Sequence, residues 1–92
     1  MKLSLLSVAD VQNALSQKIR SLRKSQKLSR DALAERSTVP SSTIKKFETT
    51  GQISLRQFLL LWQSVDDLER IMSMVELSAS KPVTMEEVFN NG

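Results

Sequence analysis

Apolar side chains in this chain return every three or four residues, and that period leaves little choice of fold. Val8, Val11, Leu15, Ile19 and Leu22 form one helical stripe, expected to face a core. Ser7 precedes the stripe and Asp10 stands three residues on, the spacing of a capping box. A second, short helix opens within Leu28–Glu35, with Ser29 as N-cap, Asp31 near the positive end of the dipole, and Leu33 and Ala34 facing inward. Ser37-Thr38-Val39-Pro40 ends it, because proline cannot donate to a helical ladder and biases Val39 away from helical angles. Ser41 is expected to cap a third helix, from Ser42 to about Thr49, with Ile44 and Phe47 buried and Ser42, Thr43, Lys45 and Lys46 outside. Gly51 is suited to a positive φ after that helix.

Ser54 caps a fourth helix, in which Leu55, Phe58, Leu59 and Trp62 make one stripe while Leu60 and Leu61 extend the apolar surface around most of the circumference. A helix of that kind needs a second burial partner. Asp66 and Glu69 have capping-box spacing before a fifth helix that carries Leu68, Ile71, Met72 and Val75. With two glycines and two prolines in 92 residues, little interrupts this pattern. The expected fold is all-α, a five-helix domain over residues 7–77, with a short N-terminal arm at 1–6 and a flexible acidic tail at 78–92 in which Thr84-Met85-Glu86-Glu87 can cap one last turn ending at Phe89.

Composition narrows the function. The chain has neither cysteine nor histidine, which removes disulfides, thiolate nucleophiles, sulfur-ligated zinc and imidazole proton transfer. Asp66-Asp67 and Glu86-Glu87 are sequence neighbours that helix geometry points apart, so they make a poor acid–base pair. A non-enzymatic role without metal or cofactor is expected. The longest apolar run, Phe58 to Trp62, is far short of the roughly 20 residues of a bilayer span, and the first residues do not resemble a secretory signal, so a cytoplasmic protein without membrane contact is expected. Charge is divided: residues 1–50 hold ten Lys/Arg against four acids, net +6, whereas residues 51–92 hold three against six, net −3. Such asymmetry suits a domain that meets a polyanion with one face and keeps another for protein contacts.

Two short helices joined by a four-residue turn, the second with core-facing Ile44 and Phe47 and cations outside, have the geometry that lays a helix into a major groove. The runs Ile19-Arg20-Ser21-Leu22-Arg23, Leu28-Ser29-Arg30-Asp31-Ala32-Leu33-Ala34, Ser42-Thr43-Ile44-Lys45-Lys46-Phe47-Glu48 and Ser54-Leu55 resemble the Xre-type, lambda-repressor-like helix-turn-helix family over about residues 19–65. That resemblance implies an ion pair, Arg23 with Glu48, tying the first helix to the recognition helix. It implies DNA contacts from Arg30, Ser41, Ser42, Thr43, Lys45, Lys46 and Arg56, with Lys24 and Lys27 as weaker participants. Arg30 stands where the family usually has Gln, which favours phosphate contact over base reading. Ser41 is equally suited to a pure capping role, and Lys45 to a solvated one. Thr38 and Lys27 stand where the family usually has Gly; a side chain held at positive φ would store strain, so a different path of the turn is expected.

Operators are normally read by two-fold dimers whose half-sites lie roughly 34 Å apart. A homodimer on a palindromic operator in double-stranded DNA is therefore expected, with Phe58, Leu61, Trp62, Val65, Ile71 and Met72 as its interface; the alternative for Trp62 is burial in the protomer's own core. The segment Ser7 to Leu15 leading into Ile19-Arg20, then Phe58, Trp62-Gln63-Ser64-Val65 and a short tail after Pro82, is similar to HipB-type antitoxins. This implies an autoregulating repressor that binds a HipA-like serine/threonine kinase toxin. Alternatives are a phage or chromosomal repressor with no toxin partner, and a protein-only adaptor that uses the acidic half and the Glu86-Glu87-Val88-Phe89 tail.

Overall fold

A computed structural model describes residues 5–80 of the chain, and side chains to residue 76. The described residues form five α-helices and no strand: α1 Val8–Ser25, α2 Arg30–Ser37, α3 Ser41–Thr50, α4 Leu55–Val65 and α5 Leu68–Ser80. Among them no helix is long and apolar enough to cross a membrane. The expected tail falls largely outside the described residues, except that α5 continues helical to Ser80.

Serine hydroxyls set three of the helix starts. Ser7 and Asp10 complete a reciprocal capping box on α1, each side chain bonding the other's backbone N–H at 3.0 Å. Ser29 accepts from the Ala32 N–H at 3.0 Å, and Ser54 from the Gln57 N–H at 3.1 Å. At α5 the cap is made by Asp67, whose carboxylate accepts from the Glu69 N–H at 2.9 Å, in place of the expected Asp66. Ser41 is not a cap: α3 already includes it, and Pro40, at φ −58 and ψ 144, occupies the N-cap position with no side-chain bond. Proline's fixed φ and missing N–H suit the edge of a helix, so it replaces the serine there.

The core is Ile19, Leu33, Val39, Ile44, Phe47, Phe58, Leu61, Trp62 and Val65. α1 packs on α3 and α4, α2 packs on α3 and α4, and α5 leans on α4. Phe47 meets Phe58 edge-on at a centroid distance of 6.0 Å, and Phe58 lies 6.0 Å from Trp62. The Trp62 indole donates to the Asp67 carbonyl at 2.9 Å, anchoring the α4–α5 junction.

Two expectations are corrected by this packing. Phe58, Leu61, Trp62 and Val65 are buried in the protomer's own core, the alternative given for Trp62, which leaves them little surface to offer a second copy; α4 packs on α1, α2 and α5, with Leu55 left exposed at its start. Of that expected set, Ile71 is half-buried and Met72 is exposed. The α1 stripe, in turn, is only partly a core stripe. Ile19 is buried and Leu22 half-buried, whereas Val8, Val11 and Leu15 are exposed. With 18 residues α1 is about 27 Å long, while the 10-residue α3 beneath it spans about 15 Å, so the first turns of α1 outrun their support.

Candidate nucleic-acid interface

The segment between α2 and α3 decides how α3 is presented. Thr38 takes the left-handed conformation at φ 66, and its N–H closes α2 on the Ala34 carbonyl at 2.8 Å. Ser37, itself buried, accepts from the Val39 N–H at 3.1 Å through its hydroxyl, and Val39 drops its side chain into the core. Pro40 then starts α3. Lys27 behaves likewise at the end of α1: at φ 58 it lets its own N–H reach the Lys24 carbonyl at 2.9 Å and the Leu28 N–H reach the Arg23 carbonyl at 3.0 Å, a Schellman pair. Both turns thus follow the left-handed path that glycine would take most easily, contrary to the expectation of a different path. The closing hydrogen bonds and the burial of Val39 outweigh a conformational cost of about 1–2 kcal/mol at each residue. Ser37-Thr38-Val39-Pro40 forms the turn as expected; the burial of Ser37 and Val39 and the bond between them are additional, and a small hydroxyl two residues before a β-branched residue and proline is their local signal.

Ile44 and Phe47 are buried, and they fix the rotation of α3 so that Ser42, Lys45 and Lys46 face solvent and Ser41 and Thr43 are half-exposed. Glu48, at the inner edge of the same helix, is the electrostatic centre of the site. Arg23 grips it with both arms of its fork, Nε to Oε2 at 2.7 Å and Nη2 to Oε1 at 3.0 Å, and its Nη1 donates to the Leu28 carbonyl at 2.8 Å. Arg30, from the first turn of α2, also donates through Nε to Oε1 at 3.1 Å. One buried carboxylate therefore joins α1, α2 and α3. Burial works against the Glu48 charge, but the hydrogen bonds and charges of Arg23 and Arg30 outweigh it and hold the carboxyl below its usual range.

The bridge holds two guanidiniums on one carboxylate and so leaves a positive charge over. Arg30, with about a third of its side chain exposed, shares a cleft with Ser29, Ser41, Ser42 and Lys45 between the starts of α2 and α3. The cleft joins cations, hydroxyls and two helix N-termini, which together favour an anion. Asp31 lines the same cleft and offsets part of the charge. Thr43, Lys46 and Arg56 do not line it: Lys46 is exposed beyond it on α3, and Arg56 borders a separate depression with Leu55, Leu59 and Leu60. Among the described residues there is no cluster of three carboxylates suited to a metal ion. Comparison with protein-family models, with curated proteins and with solved structures returns no match to this chain.

Proposed function

We propose that this chain is a sequence-specific DNA-binding repressor of the Xre, lambda-repressor-like helix-turn-helix type, acting in the cytoplasm as a non-enzymatic homodimer. One observation carries the reading: α3 is held by Ile44 and Phe47 with Ser42, Lys45 and Lys46 outward, beside a cleft charged by Arg30. A 10-residue helix presenting that face can enter a major groove, its lysines reaching guanine acceptors or phosphates and Thr43 touching a thymine methyl. Arg30 and the N-termini of α2 and α3 grip the flanking phosphates. The sequence likeness to HipB-type antitoxins extends the proposal to an autoregulated operon and a kinase-like toxin partner.

The experiment is a gel shift with the chain's own upstream region against a scrambled duplex, repeated across a salt series. A reader of DNA prefers its operator and loses affinity steeply as salt rises, because phosphate contacts release counterions. Equal retention of the two duplexes, or none, refutes the repressor. The antitoxin extension stands or falls separately, on whether a kinase-like protein from an adjacent reading frame co-purifies.

A further inference from the structure

A guanidinium withdrawn from water needs an acceptor, and one arginine of this chain lacks it. Among the described residues three cations are less than fully exposed: Arg20, Arg23 and Arg30. Arg23 and Arg30 share the Glu48 carboxylate. Arg20 makes no ion pair and no hydrogen bond within the chain, although its Nε is buried. A charged donor shut away without an acceptor costs more than a neutral one, and a native fold seldom keeps such a group without a reason.

The position of Arg20 supplies that reason. Asn13, Ser16, Arg20 and Arg23 recur at three- and four-residue steps on one face of α1, the face that packs on α3. Arg20 stands between two fastenings of that contact: Asn13 against Gly51 at the end of α3, and Arg23 on Glu48. Arg23 also lines the cleft of Arg30 and Lys45, and Arg20 is one turn away from it, about 4.5 Å along α1. Neither helix has a carboxylate to spare for it. Asp10, the sole acid of α1, is engaged in the capping box, and Glu48, the sole acid of α3, already holds two arginines.

We infer that Arg20 is a further DNA contact, its guanidinium taking a backbone phosphate of the strand that passes α1 beside α3. The inference rests on the repressor reading for the duplex, and on the unpaired Nε for the residue. Phosphate suits it because two of its oxygens can accept from the fork of one guanidinium, as Glu48 does from Arg23. The contact positions the protein and reads no base, since it comes from α1 and only α3 enters the groove. Arg20 from α1 and Arg30 from α2 thus grip the backbone from two helices that Glu48 ties together.

The test compares the full chain with Arg20→Met and Arg20→Lys, by salt-dependent anisotropy on the chain's own upstream duplex and on a scrambled one, and by thermal melting without DNA. Methionine keeps the apolar cover of the arginine stem and removes the donors. Arg20→Met is expected to bind both duplexes roughly 10-fold more weakly, to lower the slope of log affinity against log salt by about 1, and to melt no lower than the parent. An arginine with a merely structural role gives the opposite pair, a lower melting point and an unchanged slope. Arg20→Lys is expected to keep the slope, because the charge remains, and to regain only part of the affinity, because the fork is lost. Equal affinity and slope for parent and Arg20→Met on a duplex that the parent prefers overturns the inference and leaves the repressor reading standing. Equal binding of operator and scrambled duplex by the parent, with Arg20→Met weaker on both, does the reverse. Inorganic phosphate that raises the melting point of the parent but not of Arg20→Met, with duplex affinity the same in both, identifies a free anion as the partner and also overturns it. A parent that binds neither duplex removes both readings.

Discussion

At the scale of single residues, the fold leans on Glu48. Replacing it with Ala leaves the buried Arg23 guanidinium without its carboxylate, and a loss of about 3–5 kcal/mol is expected, read from the urea midpoint. The same carboxyl gives the protein an acid-sensitive point. Because its folded pKa lies below the ordinary glutamate value of 4.5, its contribution is complete above that pH and is lost as the pH falls through the lowered value. Glu48→Gln should therefore flatten the acid limb of a stability profile, and an unchanged limb would show that other carboxylates govern it. Thr38 offers the opposite sign. Thr38→Gly relieves a β-branched residue from φ 66, and after the greater freedom of glycine in the unfolded chain is subtracted, a gain of about 0.5–1 kcal/mol is expected with an unchanged denaturant slope.

At the scale of elements, α3 separates binding from folding. Lys46 is exposed, so Lys46→Ala should leave the melting temperature in place while weakening operator binding, and it should lower the slope of log affinity against log salt by about 1. Salt-dependent anisotropy measures both. Gly51, which ends α3 at φ 78, is different: a Cβ there would stand 3.1 Å from the Asn13 side chain and 3.2 Å from Gln12 Cβ, so Gly51→Ala should cost about 1–2 kcal/mol. Local chemistry made much of this readable beforehand. Ser7, Ser29 and Ser54 mark helix starts and Gly51 a helix stop through bonds and angles confined to a few residues. Ser41 misled because a hydroxyl and a preceding proline compete for the same cap, and only the path of the turn decides between them. The α1 stripe misled because helical periodicity reports that a face is apolar, not that another helix is long enough to cover it.

At the scale of the whole molecule, the interior of α4 is a matter of intrachain packing. Trp62→Ala should lower stability by about 3–5 kcal/mol at every protein concentration, whereas a residue of a dimer interface would show an effect that fades on dilution. The site was legible as a set of residues but not as an arrangement: the spacing of Arg23, Arg30 and Glu48 could not tell that one carboxylate serves both arginines across three helices. Trp62 has a practical corollary. It is the sole indole in a chain without tyrosine, it is sealed in the core and bonded to the α4–α5 junction, and it lies away from the outward face of α3. Its fluorescence is accordingly expected to serve as an internal gauge, unchanged by the proposed docking on a duplex and shifting to the red when α5 peels from α4.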